Sequence, residues 1–216
     1  MAYDLDEQEK IEALKAWWKQ NGNLVTWLLI IGLFTYAAWN GWKYYQRTQA
    51  VKAASLYEEM FRAVVAKDRT IIMRAATDLE AQYSGTAYAQ MAGLIAARSA
   101  HDSGAMKSAK SQLKWVADNA VDEEYKTLAK IRLAGILLDE KAYDEGMKLL
   151  SGDFPEAFKA RVADRKGDIL VAQNKIKEAR VAYQAALEKT EVKDPAHKLI
   201  QLKLNGIGGA PVKSAG

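Results

Sequence analysis

The chain has 216 residues, a formal net charge of +4 and 50% apolar residues, which suits one ordinary domain with an appended segment, or two small domains. Three prolines and no cysteine exclude a proline-rich module, disulfides, thiolate catalysis and cysteine-based zinc sites. The two histidines, His101 and His197, lie nearly a hundred residues apart and supply no histidine-based metal site or triad. We therefore expect a folded protein without a metal or other cofactor.

The first 22 residues form a short acidic head. Residues 1–20 carry five carboxylates against three lysines, a charge of −2 that leaves +6 for the rest of the chain. Ile11, Leu14 and Trp18 follow helical spacing, so the head is either a short amphipathic turn on a membrane surface or a disordered tail. No lysine or arginine block is dense enough to indicate nucleic-acid binding.

Residues 23–42 are predicted to be a membrane-spanning helix. Between Lys19 and Lys43 lie 23 residues without a charge, and roughly 20 helical residues cross a hydrocarbon layer of roughly 30 Å. Five of the six tryptophans lie in or beside this run, as amphipathic rings do at membrane interfaces. A soluble core helix would not sort them so, and a cleavable signal would have a positive leading region and a small-residue cleavage site. The segment is interpreted as a retained anchor in the lipid bilayer, followed by a juxtamembrane linker at residues 43–49.

The flanking charges leave the orientation of this helix open. Three basic residues precede the span and three follow it: Lys10, Lys15 and Lys19, then Lys43, Arg47 and Lys52. The positive-inside rule therefore gives a tie, and long translocated domains largely escape that rule.

Residues 50–207 show amphipathic helical periodicity without a convincing strand. Apolar residues recur at three- and four-residue spacing, as in ASLYEEMFRAVVA and YKTLAKIRLAGILLDE. Short polar breaks separate these stretches at residues 67–68, 84–85, 102–104, 119–123, 152–153 and 193–195. The intervals predict an all-α solenoid of antiparallel helical hairpins.

The hairpins carry an internal repeat. KIKEARVAYQAAL at 175–187 aligns with AYDEGMKLLSGDF at 142–154, and that string aligns with AMKSAKSQLKWVA at 105–117, at offsets of 33 and 37 residues. The last unit resembles the tetratricopeptide family, because small residues and an aromatic ring recur where paired helices pack: Gly167, Ala179, Tyr183 and Ala186. The earlier units depart from it at matching positions, with Ala134, Gly146 and Leu150 in the second and Ala97, Ala109 and Leu113 in the first. The leading hairpin, at about 50–83, matches only in periodicity.

The last helix is predicted at residues 195–207, where a proline begins PAHKLIQLKLNGI. Its apolar residues are Leu199, Ile200, Leu202, Leu204 and Ile207. A solenoid needs a terminal element over its last apolar face, so this segment is predicted to be a capping helix. Residues 208–216 are predicted to be a disordered tail.

No Walker loop, dinucleotide fingerprint, HExxH or GxSxG motif is present, so binding is expected rather than catalysis. In stacked hairpins the first helix of each pair lines the concave surface. The candidate partner-binding residues on these helices are Met91, Leu94, Arg98, Leu128, Ile131, Leu138, Arg161, Asp164, Asp168 and Val171. For any single one of them, core packing or a solvated surface explains the pattern better than partner contact.

The order of these features resembles one bacterial family, the YfgM-type ancillary subunits of the SecYEG translocon. The resemblance spans nearly the full chain and is carried by WWKQNG, GWKYYQ, ASLYEEMFRAV, VADRKGDILVAQNKIKEARVAYQAAL and LIQLKLNGI. It implies a cytoplasmic head, a single inner-membrane span and a tetratricopeptide-like body in the periplasm. It also implies association with SecYEG and with the membrane-anchored periplasmic chaperone PpiD, and it provides no catalytic residues.

The leading hypothesis is a non-enzymatic scaffold that holds a PpiD-like chaperone near the translocon exit, with unfolded client proteins as further candidate partners. A membrane-tethered tetratricopeptide adaptor for another envelope complex, such as a division, pilus or signalling complex, is the alternative. A membrane-bound hydrolase would need polar residues that converge in one pocket, and the sequence shows no such set.

Overall fold

The computed structural model describes residues 2–208, with the side chains of residue 7 and of residues 9–208. These residues form nine α-helices and no strand, which confirms the predicted all-α class. The helices are α1 (Ala2–Val65), α2 (Arg69–Gln82), α3 (Ala87–Asp102), α4 (Met106–Asn119), α5 (Glu123–Asp139), α6 (Tyr143–Leu149), α7 (Glu156–Ala172), α8 (Ile176–Glu188) and α9 (Pro195–Gly206). The chain divides into two units, Met1–Gln49 and Ala50–Gly216. The predicted disordered tail lies outside the described residues, apart from Gly208.

The first unit consists of the leading part of α1. Its helix runs through residues 43–49, where the sequence predicted a linker, and through the described part of the head, where the sequence left a disordered tail open. Large apolar side chains from Leu24 to Tyr45 are 48–76% exposed. The segment Glu9–Val65 contains a stretch long and apolar enough to cross a membrane, and only 6% of that stretch is buried. A soluble core helix would be mostly buried, so this exposure suits lipid contact.

Two threonine side chains of the span donate hydrogen bonds to carbonyls of their own helix. The Thr26 hydroxyl donates to the Gly22 carbonyl at 2.8 Å, and the Thr35 hydroxyl donates to the Ile31 carbonyl at 2.8 Å. At the trailing end, Lys43 Nζ lies 5.2 Å from the centroid of the Trp39 ring. Hydrogen bonds within the helix satisfy hydroxyl groups that would have no partner in lipid. A lysine over an indole ring is typical of the membrane interface.

The second unit is a series of four helical hairpins followed by α9. The hairpins pair residues 50–65 of α1 with α2, α3 with α4, α5 with α6, and α7 with α8. Neighbouring hairpins pack through α2 against α3, α4 against α5, and α5 against α7. The first helices α3, α5 and α7 are therefore brought alongside one another.

Each hairpin turns through one residue with left-handed backbone geometry. The four residues and their φ values are Lys67 (58°), Gly104 (76°), Lys141 (61°) and Asn174 (60°). In each turn the following N–H donates to a carbonyl five residues earlier, at 2.8–2.9 Å, which ties off the end of the first helix. The sequence predicted no break at Lys141 or Asn174, so two of these four turns were missed.

Small residues let α7 and α8 approach closely in the last hairpin. A Cβ on Gly167 would lie 2.9 Å from Tyr183 Cζ and nearer still to two other ring atoms. Ala179 and Ala186 are fully buried, and Tyr183 is 3% exposed. In the preceding hairpin, a fully buried Leu150 stands where the last unit has Tyr183.

Helix α9 covers the apolar face of α8. Its first turn is capped by Asp194, whose carboxylate accepts from the Ala196 N–H at 2.8 Å. Ile200 and Leu204 are buried in a cluster with α8 residues, whereas Leu202 is 67% exposed. Fewer apolar residues of α9 therefore cover α8 than the sequence of this segment indicated, since Leu199 is exposed as well.

Candidate partner-binding groove

Two adjoining cavities open along the first helices of the hairpins. The larger has a volume of about 850 Å³ and the smaller about 260 Å³. Both are lined by Arg98 of α3 and Arg132 of α5. The two cavities are together called the groove.

The floor of the larger cavity is apolar. It is formed by side chains from three helices, namely Tyr57, Val64, Ile72, Met91, Leu94 and Ile95. Leu94 is 6% exposed, and Met91 and Ile95 are half-buried, so they offer apolar surface without standing free in solvent. Such a floor can receive apolar side chains of a partner.

Cations outnumber carboxylates around this floor. Lys67, Arg69, Arg98 and Arg132 line the larger cavity, and Asp102 is the one carboxylate among its lining residues. Asp102 is already engaged, because Arg98 Nε donates to its two oxygens at 2.9 and 2.8 Å. The Arg98 hydrogen bond lowers the pKa of Asp102, so this carboxylate stays ionised and paired.

Arginines lie on three successive first helices, and two of them, Arg132 and Arg165, occupy the same repeat register. Arg98 lies on α3, Arg132 on α5 and Arg165 on α7, with separations of 34 and 33 residues. Arg165 and Arg132 both line the smaller cavity. The Arg165 side chain reaches toward α5, because its Cζ is 3.4 Å from the position that a Cβ on Gly135 would take. Each of the three first helices thus contributes one arginine to the lining of the groove.

The three arginines differ in their neutralisation. Arg98 pairs with Asp102 at 2.8 Å, and Arg165 pairs with Asp168 at 3.2 Å. Arg132 has no ion-pair partner among the residues that the structure describes. Burial lowers the pKa of Arg132, and the positive charges of Arg98 and Arg161 lower it further. The central guanidinium therefore lies in a positive potential without a carboxylate of its own.

Three of the ten candidate binding residues line the groove, namely Met91, Leu94 and Arg98. Four others pack into the protein interior. Ile131 is 8% exposed, and Leu128, Leu138 and Val171 are half-buried against core clusters. Their placement matches the core-packing interpretation that the sequence favoured for single residues.

The remaining three candidates lie on α7. Asp164 and Asp168 both bind Lys203 of α9, each with an oxygen 2.8 Å from Nζ. Burial raises the pKa of Asp164, an effect that the Lys203 hydrogen bond opposes. Arg161 is exposed, with its Cζ 5.8 Å from the centroid of the Phe158 ring. Partner contact by any of the ten residues stays a prediction.

Arg132 and Arg165 were not among the residues predicted from the sequence. A signal for them existed, because they are 33 residues apart, which is the offset between the last two repeat units. The repeat was aligned on second helices and small packing residues, so a charge that recurs on the first helices α5 and α7 was overlooked. Tyr57 and Ile72 were also missed, because the leading hairpin matched only in periodicity and gave no register.

These observations define a class of protein, a helical-hairpin repeat domain preceded by a candidate membrane helix. The family model described as a tetratricopeptide repeat-like domain matches residues 15–209. The chain therefore belongs to the tetratricopeptide repeat-like domain family.

The chain is also similar to proteins named "Ancillary SecYEG translocon subunit". The relative from Neisseria gonorrhoeae is 29% identical over 208 residues, which cover 96% of this chain and 100% of the relative. The relative from Haemophilus influenzae is 26% identical over 207 residues, with 96% and 100% covered, and that from Escherichia coli is 27% identical over 202 residues, with 94% and 97% covered. No solved structure gives a significant match. The similarity extends over the apolar helix as well as the hairpins.

Proposed function

We propose that this protein is a non-enzymatic scaffold, anchored in the bacterial inner membrane by residues 23–42, that associates with the SecYEG translocon. Its helical-repeat unit holds a PpiD-like chaperone near the channel exit, and unfolded client proteins are further partners. The groove is the part of the molecule that we assign to this binding.

The observation that carries the proposal is the end-to-end similarity to proteins that share one name. Relatives from three genera are 26–29% identical over 94–96% of this chain. Packing between helical repeats accounts for similarity in the hairpins and gives no reason for similarity in the apolar helix. Similarity across both units supports a shared role as well as a shared fold.

The anchor provides the mechanism. A protein held in the membrane meets other membrane-bound partners at a high effective concentration, so weak groove contacts are enough for association. Many such contacts can form and break while a chain passes through the channel. A tight, permanent complex is not required for this work.

We further propose that the head is cytoplasmic and the repeat unit periplasmic. The flanking basic residues are equal in number, so the orientation rests on the resemblance to the ancillary-subunit family. In this orientation the groove faces the compartment into which translocated chains emerge.

Affinity purification of the tagged full-length chain from native membranes tests the association. We expect SecYEG and a PpiD-like chaperone to co-purify in mild detergent. A matched control replaces residues 23–42 with a leucine-alanine helix of equal length. This variant keeps the proposed membrane insertion and loses the native residues of the span. Recovery of neither channel nor chaperone with the native chain would refute the proposal, and recovery of a division, pilus or signalling complex would support the adaptor instead.

A reporter that is active only outside the cytoplasm, fused to the C-terminus, tests the orientation. We expect an active reporter and digestion of the repeat unit by protease added to spheroplasts. Protection of the repeat unit in spheroplasts, with digestion after lysis, would contradict a periplasmic location.

A further inference from the structure

We propose that the groove binds a partner segment that presents a carboxylate beside apolar side chains, with Arg132 as its principal ionic contact. The inference rests on the proposed function, which supplies a protein partner, and it adds the chemistry by which that partner is recognised. Neither the tetratricopeptide-like fold nor the names of the relatives specifies this chemistry.

Arg132 lacks a counter-charge on its own helix. The arginines on the adjacent first helices have one, Asp102 for Arg98 and Asp168 for Arg165. At the corresponding place after Arg132, α5 has Gly135 and Ile136. A carboxylate from outside would therefore meet a guanidinium that has free donors and lies among like charges.

The acids that line the groove do not neutralise Arg132 on the side of the larger cavity. Asp139 lines the smaller cavity, and Asp102 is held by Arg98 in the larger one. The side of Arg132 that faces the larger cavity is therefore the more positive side. Lys67 and Arg69 line this cavity as well and strengthen the attraction for an anion.

The apolar floor of the larger cavity favours a peptide over a small free anion as the ligand. A cavity of about 850 Å³ floored by Ile72, Met91, Leu94 and Ile95 is far larger than a carboxylate or phosphate group needs. Apolar side chains next to the acidic residue would fill it and be removed from water. The occupant that fits both features is an acidic, amphipathic segment of another protein.

The experiment uses the full-length chain in detergent micelles and two fluorescein-labelled peptides of about a dozen residues. One peptide alternates glutamate with leucine and phenylalanine, and the other has glutamine in place of each glutamate. Fluorescence anisotropy gives Kd for the native chain, Arg132→Gln and Arg132→Lys. The matched control is Arg62→Gln, which removes an exposed arginine that lines neither cavity.

We expect the native chain to bind the acidic peptide about tenfold to a hundredfold more tightly than the glutamine peptide, the range for a charged hydrogen bond. Arg132→Gln should remove most of that preference, Arg132→Lys should keep part of it, and Arg62→Gln should keep all of it. The preference should also shrink as salt rises. Circular dichroism of each variant checks that the helical fold is intact.

Equal binding of the two peptides, no binding of either, or an unchanged preference in Arg132→Gln would each overturn the inference. Tighter binding of short-chain phosphatidylglycerol than of the acidic peptide, lost in Arg132→Gln, would also overturn it and assign the groove to a lipid. Co-purification with SecYEG separates the two proposals. If the native chain still recovers the channel while the peptides fail, the scaffold function stands and the groove chemistry is rejected.

Discussion

The hairpins up to α6 (the front hairpins) and the hairpin of α7 with α8 (the rear hairpin) use the same repeat position in opposite ways. At one register of the first helices, α3 has Leu94 and α5 has Ile131, which are 6% and 8% exposed. At that register α7 has Asp164, whose oxygens lie 2.8 and 2.9 Å from Lys203 Nζ of α9. The position therefore serves the apolar core in the front and an ion pair with the closing helix in the rear.

The rear ion pair belongs to a balanced network. Lys203 Nζ also lies 2.8 Å from Asp168, and the Tyr183 hydroxyl donates to Asp168 at 2.8 Å. Burial raises the pKa of Tyr183, which keeps this hydroxyl protonated and able to donate. In the groove, by contrast, cations exceed the acids that line it. The rear charges thus hold α9 in place, whereas the front charges exceed the acids around them, as the proposed binding of an acidic segment requires.

Removal of Lys203 should produce the largest effect. Lys203→Met leaves Asp164 and Asp168 mostly buried without their ammonium partner, and such a loss costs about 3 kcal/mol. We expect α8 and α9 amides to exchange about a hundredfold faster in hydrogen-exchange mass spectrometry, with little change in α3.

The control for that change is Lys198→Met, which alters an exposed lysine of the same helix. It should change the free energy of unfolding by less than about 0.5 kcal/mol. If the two variants exchange alike, α9 is held by apolar packing alone and the contrast between front and rear fails.

The contact between Gly167 and Tyr183 should give the next largest effect. Gly167→Ala places a methyl group against the Tyr183 ring and should destabilise the protein by about 2 kcal/mol in urea unfolding. The preceding hairpin has Ala134 and Leu150 at these places, so Gly167→Ala combined with Tyr183→Leu should cost less than the sum of the single changes. Additive costs would show that the two sites do not interact.

Gly135→Ala is the control on the neighbouring helix. Its Cβ would lie 3.4 Å from Arg165 Cζ, an ordinary contact with a flexible side chain. Alanine also favours a helix over glycine by roughly 1 kcal/mol. Gly135→Ala should therefore be neutral or stabilising, and a loss as large as that of Gly167→Ala would contradict the packing account.

The sequence predicted those features that depend on local pattern. Periodicity identified the helices, uniform hydropathy with flanking tryptophans identified the candidate membrane helix, and the proline at residue 195 located the start of the last helix. The turn at Lys141 escaped because one left-handed lysine leaves no cluster of glycine or proline. Lys203 and Asp164 are 39 residues apart, and no local sequence pattern around either residue predicts their ion pair. Most of the groove escaped as well, because it forms only after several hairpins have packed together.

The front hairpins contain a partly buried acid without a cation, and its ionisation should make stability depend on pH. Glu80 Oε1 and Gln112 Oε1 are buried and lack hydrogen-bond partners among the described residues. Burial raises the pKa of Glu80 to about 7 from an ordinary 4.5. The unfolded chain loses this proton first, so stability should fall as pH rises from about 4.5 to about 7 and then level off.

Glu80→Gln tests that expectation, because it keeps the shape of the side chain and removes its ionisation. Urea unfolding at several pH values should show a smaller slope for Glu80→Gln than for the native chain between those two pKa values. The size of the effect should be below that of Lys203→Met, since Glu80 is only partly buried. An identical pH profile in both chains would mean that Glu80 finds a solvated position and that the front carries no unpaired buried acid.

The smallest effects should come from the turns, which front and rear build with different residues. Gly104 and Asn174 both have left-handed geometry, with φ values of 76° and 60°, and that geometry costs an L-residue about 1 kcal/mol. Gly104→Ala should therefore lower the free energy of unfolding by about 1 kcal/mol. Asn174→Gly should raise it by less, because asparagine tolerates this geometry and glycine loses more entropy on folding.

Gly85→Ala is the matched control for the turns, since Gly85 lies in open space and does not have a positive φ. It should change the free energy of unfolding by no more than about 0.5 kcal/mol. If Gly104→Ala were as mild as Gly85→Ala, the front turn would tolerate a different backbone geometry.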